Sequence, residues 1–209
     1  MVEFSCVIVL CLLSIIYQGS LCSQTVQTEP EILATGMKAP EFSLQGVHGN
    51  IYNLDDFNKS KVLVIIFNYN HCPTAQAYED RIISFSRDYK QRGVDMVMIS
   101  PNSVDALNYS ELGYSDMGDS FDDMKQRTLD KGFSFSYLYD GDEQKAALAY
   151  GPVATPHCFV FDKDRILRYN GRVDNSEKPG TGKGEDLRNG VGLCRLPCLL
   201  NSKPYAQTI

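Results

Sequence analysis

The fold of this chain is decided at residues 67–73, which read Phe67-Asn68-Tyr69-Asn70-His71-Cys72-Pro73. The apolar run Val62–Phe67 that leads into them has the length and β-branched content of a buried strand. Pro73 is favoured at the first position of a helix, where the amide proton that proline lacks would have no partner. Cys72 therefore lies where a strand gives way to a helix. Free backbone N–H groups and the helix dipole stabilise a thiolate at such a place, and the adjacent His71 could add positive charge when protonated.

The residues after Cys72 predict a β-α-β unit. Apolar residues recur with helical spacing from Pro73 to Arg92, and Gly93 is expected to end the helix. Val94–Ser100 then has the pattern of a second strand. The two strands are expected to be parallel, with a right-handed crossover.

The same patterns predict the remaining elements of an α/β fold with a mixed central β-sheet flanked by helices. In chain order they are an edge strand at Lys38–Leu44, a strand at Ile51–Leu54, a short helix or turn at Asp55–Phe57, a capped helix from Ser120 to about Gly132, a strand at Phe135–Tyr139, a helix at Asp142–Tyr150, strands at Cys158–Asp162 and Ile166–Gly171, and a helix that begins near Glu185. The last two strands are expected to be antiparallel around a tight turn. After Arg188, glycines at 190 and 192 and Pro197 are expected to break the helix.

Composition indicates one soluble domain and argues against a nucleic-acid partner. The 209 residues are 43% hydrophobic and 22% charged, with a net charge of −6 and a pI of about 5.1. Lysine and arginine are scattered, so no basic stripe that could track a phosphate backbone is present.

The first residues indicate export. The apolar run at residues 6–16 is too short to span a bilayer comfortably and has the length of a signal-peptide core, although Glu3 is the only charge before it. We expect a signal peptide at 1–22, a linker at 23–37, one domain at 38–196 and a divergent tail at 197–209. A secreted or periplasmic location is the expectation, and a retained membrane anchor is the alternative.

Four cysteines remain once this signal is removed, namely Cys72, Cys158, Cys194 and Cys198. Cys72 has no close partner in the sequence, which leaves a lone reactive thiol possible. Cys158 begins an apolar strand and is expected to be a buried core thiol. The last two could form a local disulfide.

No metal or cofactor site is indicated. The chain has no Cys-x-x-Cys pair, and its histidines are dispersed. The spacing of the central acidic residues is not that of a calcium loop, so they are expected to form a solvated face and helix caps. They are Glu111, Asp116, Asp119, Asp122 and Asp123.

Several stretches resemble the peroxiredoxin-like branch of the thioredoxin superfamily, the redoxin group related to alkyl hydroperoxide reductases. They are Asn70-His71-Cys72-Pro73 with Ala77–Arg81, Ile99–Asn102, Glu111–Tyr114 with Gly118–Phe121, Tyr137–Asp140, Tyr150-Gly151 through Thr155-Pro156-His157, and Tyr169–Asp174. The resemblance covers roughly residues 38 to 188 and implies a thioredoxin-like fold. It also implies that residues 69–72 are the active turn. Thr155-Pro156 would then be the cis-proline loop that faces this turn and holds the Thr155 backbone against a substrate. His157 is expected to be a solvent-side or structural histidine.

The active turn departs from the pattern of these relatives in its first cysteine. Relatives usually carry Cys-Asn-His-Cys, and Tyr69 stands here in place of the first thiol. Cys72 matches the second position, which the resemblance implies is the peroxide-attacking cysteine. Without a neighbouring thiol to resolve a mixed disulfide, chemistry at this turn must run through Cys72 alone. The Tyr69 hydroxyl could donate a hydrogen bond there.

The resemblance favours an exported thiol oxidoreductase that uses Cys72, with His71 and Tyr69 beside it. It would reduce peroxides or exchange thiols, and an external thiol reductant would regenerate it. Two alternatives stay open, a non-catalytic module that binds a partner through the Cys72 turn and the Thr155-Pro156 loop, and a structural domain that has lost the chemistry. The sequence does not give the substrate, the reductant or the oligomeric state.

Overall fold

The structure, a computed structural model, describes residues 31–101, 118–176, 178 and 181–194. The expected signal peptide, most of the linker and the tail lie outside the described residues. So do Cys198 and the acidic residues Glu111 and Asp116.

The described residues contain seven strands, four α-helices and one 3₁₀ turn. The strands are β1 (Ser43–Gly46), β2 (Ile51–Asn53), β3 (Val62–Phe67), β4 (Val94–Ser100), β5 (Ser136–Tyr139), β6 (His157–Phe161) and β7 (Leu167–Gly171), and the helices are α1 (Pro73–Lys90), α2 (Phe121–Lys131), α3 (Lys145–Tyr150) and α4 (Glu185–Leu193), with the 3₁₀ turn at Leu54–Phe57. The strands form one sheet in the order β2-β1-β5-β4-β3-β6-β7. Strand β3 is parallel to β4 and antiparallel to β6. The predicted α/β fold with a mixed sheet is confirmed.

The apolar run of β3 is buried on both sides, because helices cover both faces of the sheet. Val64 and Ile66 pack into a core that includes residues of α1 and α4. Leu63 and Ile65 alternate with them and pack into a second core that includes Tyr150 of α3. The end of β3 is therefore held rigidly, and the turn after Phe67 starts from a fixed position.

Two element predictions are wrong. The first strand is not at the edge of the sheet, because β1 pairs with β2 on one side and β5 on the other. The final helix does not break at Gly190 but continues to Leu193. Gly190 suits this helix because a Cβ there would come within 2.8 Å of the Tyr169 ring, so only glycine allows α4 to pack this closely on β7.

Candidate active site

Cys72 is the N-cap residue of α1 and is a free, half-buried thiol. Its carbonyl accepts the first helical hydrogen bond, from the amide of Gln76 at 3.0 Å. Its sulfur does not cap the helix. The amides of Thr74 and Ala75 belong to the first turn, where no carbonyl of the helix can reach them. A negative charge on the Cys72 sulfur would therefore lie beside the positive end of the helix dipole.

The Asp119 side chain is bonded to both the backbone and a side chain of the active turn. One of its oxygens accepts hydrogen bonds from the backbone amides of Asn70, at 2.7 Å, and His71, at 3.2 Å. Its other oxygen is hydrogen-bonded to Nδ1 of the His71 ring. The carboxylate is almost fully buried, whereas the His71 side chain is 21% exposed. The carboxylate thus fixes both the backbone of the turn and the orientation of the imidazole.

Asn70 connects this turn to the sheet. Its side-chain oxygen accepts from the hydroxyl of Tyr137 at 3.0 Å, and its side-chain nitrogen donates to the carbonyl of Gly118 at 3.3 Å. The Gln76 side chain donates to the Asn70 carbonyl at 2.8 Å. Burial and the charge of Asp119 raise the pKa of Tyr137, so this hydroxyl remains a donor.

Tyr69 lies between the active turn and the loop that precedes β6. Its ring stacks on His71, with centroids 6.1 Å apart, and its hydroxyl hydrogen bonds with the Thr155 side chain. Burial raises the pKa of Tyr69, against the lowering effect of that hydrogen bond, and the charges of Asp119 and Cys72 raise it further. The phenol is therefore protonated at neutral pH, and it lies close enough to sense the charge of the Cys72 sulfur.

The Thr155–Pro156 peptide bond is cis. Because Phe67 pairs with His157 across β3 and β6, the turn after Phe67 and the loop before His157 lie at the same end of the sheet. A groove of about 290 Å³ lies beside this loop. Its walls are Thr74 and Tyr78 of α1, the segment 153–157, Ile32, and residues 170–172, 174 and 175.

A family model described as the AhpC/TSA family matches residues 35–170 of the chain. The chain belongs to the AhpC/TSA family. It is a peroxiredoxin-like protein of the thioredoxin superfamily, as its active turn and cis-proline loop predict. No curated protein sequence matches it.

Solved structures share the fold of this chain. A hypothetical protein from Sinorhizobium meliloti 1021 is 31% identical, with a TM-score of 0.67 over 78% of this chain and 84% of that one. The thioredoxin domain of a thiol-disulfide oxidoreductase from Bacteroides vulgatus is 20% identical, with a TM-score of 0.55 over 77% of this chain and 96% of that one. The peroxidoxin BcpB from Mycobacterium tuberculosis is 13% identical, with a TM-score of 0.56 over 78% and 97%. The last two show that the fold is thioredoxin-like.

The His157 side chain is buried in this AhpC/TSA protein and does not face solvent, which leaves the structural alternative. Its ring stacks on Phe159, and its Nδ1 accepts from the amide of Val153 at 3.1 Å. Burial lowers the pKa of His157 to about 4, so the ring is neutral at pH 7. His157 thus ties the segment before the cis-proline to the first residue of β6.

The other two described cysteines lie in β6 and at the end of α4. Cys158 is fully buried in β6, as predicted, and burial raises the pKa of its thiol. Cys194 caps the C-terminus of α4, and its sulfur faces the carbonyl of Gly190 at 3.8 Å. Within the described parts of the chain, no group of three His, Cys, Asp or Glu side chains could hold a metal ion, and no helix is long and apolar enough to cross a membrane.

Asp119 is the residue of this site that the sequence interpretation missed. The prediction that it belongs to a solvated face or a helix cap is wrong, because its side chain is buried under the active turn. The prediction does hold for Asp123, which forms a capping box with Ser120 at the start of α2. The available signal was the position of Asp119 in the stretch Gly118–Phe121, which carries part of the resemblance to the redoxin group.

Proposed function

We propose that this AhpC/TSA protein is a single-cysteine thiol oxidoreductase that reduces peroxides through Cys72. The observation that carries the proposal is the position of the Cys72 thiol, which is half-exposed at the start of α1 and lies at the end of the sheet that carries the cis-proline loop. The thiolate would attack one peroxide oxygen and break the O–O bond. Cys72 would become a sulfenic acid, and the departing alkoxide or hydroxide would take up a proton.

An external thiol is proposed to complete the cycle. It would attack the sulfenic acid, release water and form a mixed disulfide with Cys72, which a second thiol would cleave. The described residues support this assignment because neither Cys158 nor Cys194 is placed to resolve the intermediate. Cys158 is enclosed in the core.

Cys194 is separated from the active turn by the length of α4. The helix begins next to Gly184, whose amide donates to Asp174 just after β7, at the end of the sheet that carries the active turn. It then runs back along β7, with Gly190 against Tyr169. Its nine residues span about 14 Å. The reductant is therefore proposed to be a small thiol or a thioredoxin-like protein.

Export remains part of the proposal and rests on the apolar run at residues 6–16. A secreted or periplasmic protein would meet its reductant outside the cytoplasm. The alternative function is a non-catalytic module that binds a partner through the Cys72 turn and the Thr155-Pro156 loop. The groove of about 290 Å³ beside the cis-proline loop favours this alternative, because it offers a concave surface whether or not Cys72 reacts.

The test is peroxide treatment in the presence of dimedone, a reagent that traps sulfenic acids, followed by peptide mass spectrometry. We expect an adduct on Cys72 and none on Cys158. A Cys72 that stays reduced at peroxide concentrations that oxidise a free thiol such as glutathione would overturn the enzyme proposal and leave the binding module.

Tyr69→Cys is the matched control, because it restores a Cys-x-x-Cys turn without touching Cys72. Peroxide should then give a disulfide between residues 69 and 72, and the dimedone adduct should fall about tenfold because a neighbouring thiol captures the sulfenic acid first. An unchanged adduct in this variant would show that the two side chains do not meet.

A further inference from the structure

We infer that Asp119 is a positioning residue, which holds the His71 imidazole so that its Nε2 carries the proton of the Cys72 reaction. This inference rests on the proposed function only in taking Cys72 as the nucleophile. Two facts carry it, the direct bond between the Asp119 carboxylate and His71 Nδ1, and the bonds to the same carboxylate from the amides of the two residues directly before Cys72.

The bond to Asp119 determines which ring nitrogen is free. A carboxylate only accepts hydrogen bonds, so Nδ1 of His71 must carry a proton and donate it to Asp119. The other nitrogen, Nε2, is then the one that can accept or release a proton. Without Asp119 the neutral ring could adopt either tautomer.

The Asp119 carboxylate is held in place by further hydrogen bonds besides the one to the His71 ring. Its second oxygen accepts from the amides of Asn70 and His71, which are the two residues directly before Cys72. A rotation of the Asp119 side chain would break these bonds together with the ring bond. The backbone of the turn and the orientation of the imidazole are therefore set by one group.

The proton balance of the proposed reaction assigns a task to this imidazole. His71 Nε2 takes the proton of the Cys72 thiol, and the resulting thiolate attacks the peroxide oxygen. As the O–O bond breaks, the departing alkoxide or hydroxide takes the same proton back from Nε2. The net change is thiol plus peroxide to sulfenic acid plus alcohol or water, with no proton gained or lost.

Other ionisable groups near this pair come from four segments, namely the turn, β5, α1 and α2. Tyr69 of the turn and Tyr137 of β5 both lie within the electrostatic influence of Asp119. Burial raises the pKa of each phenol, so neither exchanges a proton near pH 7. Glu79 of α1 forms an ion pair with Arg127 of α2, and this pair also influences Tyr137. His71, in contrast to these four groups, directly precedes Cys72 and is bonded to Asp119 through its ring.

The test is Asp119→Asn, followed by the rate of alkylation of Cys72 with iodoacetamide, measured by peptide mass spectrometry. An asparagine can still accept from the two backbone amides, but it offers an N–H to Nδ1 and so selects the opposite tautomer. Nε2 then carries a proton and cannot accept one from the thiol. We expect the rate at pH 7 to fall about tenfold or more, and the difference to narrow above about pH 9, where a thiol ionises without help.

A double variant separates a positioning role from a structural one. In a His71→Gln background, Asp119→Asn should change the alkylation rate less than twofold, because the group through which Asp119 acts is gone. An effect of Asp119→Asn that is equally large in both backgrounds would overturn the inference. A single Asp119→Asn variant that reacts as fast as the parent protein at pH 7 would also overturn it.

Nitrogen NMR of the unaltered protein measures the tautomer of the His71 ring directly, so this test does not depend on whether a variant folds. The neutral His71 ring should be the Nδ1–H tautomer, and the Nε2–H tautomer would contradict the inference. Alkylation does not require peroxide. If Cys72 fails to react with peroxide but its alkylation depends on Asp119, the proposed function fails and the inference stands.

Discussion

At the scale of single residues, several residues at or near the active turn have roles that the surrounding sequence does not reveal. Asp119 lies 47 positions after Cys72 in a stretch rich in acidic residues, yet its carboxylate is buried and bonded to both amides before the cysteine. Tyr69 replaces a thiol with a phenol that reaches across to Thr155. His157 directly follows the cis-proline and is buried, although histidine is a polar residue. Burial of this neutral ring has a measurable consequence.

His157 should make the protein sensitive to acid between about pH 6.5 and pH 4. Burial lowers its pKa to about 4 in the folded protein, while the unfolded value is about 6.5. In this window the unfolded chain binds more protons, so stability is complete above the window and is lost as the pH falls through it. Between pH 7 and pH 5 the loss attributable to His157 should be about 2 kcal/mol, measured by urea unfolding.

His157→Asn is the control for this prediction, because its amide oxygen can still accept from the amide of Val153 but does not titrate. The variant should lose about 2 kcal/mol less than the parent protein between these two pH values. Equal losses in both proteins would mean that His157 is not buried in its neutral form.

At the scale of elements, the helices are held at positions that build the site. Glu79 of α1 forms two hydrogen bonds with Arg127 of α2, at 2.8 and 2.6 Å, and the carboxylate is almost fully buried. Arg81 of α1 bonds to Asp174 at 2.5 Å, which ties α1 to the segment after β7. The first contact joins α2, which begins two residues after Asp119, to α1. Removal of the Glu79 carboxylate would leave the largely buried Arg127 guanidinium without its ion pair, which is costly.

Two glycines of α4 should respond in opposite ways to the same substitution. Gly190→Ala places a Cβ 2.8 Å from Cγ of Tyr169, so the helix or the ring must shift, and we expect a loss of about 1 to 3 kcal/mol. Gly192→Ala meets no atom within 4 Å and should stabilise the protein by about 0.5 to 1 kcal/mol, because alanine favours a helix. Urea unfolding of both variants measures the difference, and a stabilising Gly190→Ala would mean that α4 does not pack on β7 as described.

At the scale of the whole molecule, the order of the strands determines which segments meet. Parallel pairing of β3 with β4 sends α1 across one face of the sheet, and antiparallel pairing of β3 with β6 returns the chain to the active turn. The central strands are covered on both faces by separate apolar cores. A thiol on a central strand should therefore be reached only when the sheet as a whole opens.

Alkylation of Cys158 should report global unfolding, whereas alkylation of Cys72 should not. Cys158 is fully buried in β6 between β3 and β7, so it should react at least about a thousandfold more slowly than Cys72 in the native protein. Its rate should increase with urea with the same dependence as the global transition. Peptide mass spectrometry after short pulses of iodoacetamide measures both sites. Labelling of Cys158 in the native protein as fast as Cys72 would contradict the described packing of the sheet.

The local sequence determined the elements that carry the site. A β-branched run, a proline and a helical period together specify the strand β3, the turn and the helix α1, because strand and helix patterns depend on residues within a few positions of each other. The resemblance to the redoxin group also predicted the cis-proline loop at Thr155-Pro156. Cys158 was correctly expected to be buried, since it opens a continuous apolar strand.

Only the tertiary structure decided the position of β1 inside the sheet, the continuation of α4 past Gly190, and the burial of Asp119 against the amides of Asn70 and His71. Each depends on a contact between segments that are distant in the sequence. The pairing of β1 with β5, the ring of Tyr169 under Gly190, and the turn amides that replace water around Asp119 have no counterpart in local spacing. A polar residue in an acidic stretch is expected at the surface unless the fold brings donors to it, and here the fold brings them from 48 and 49 residues away.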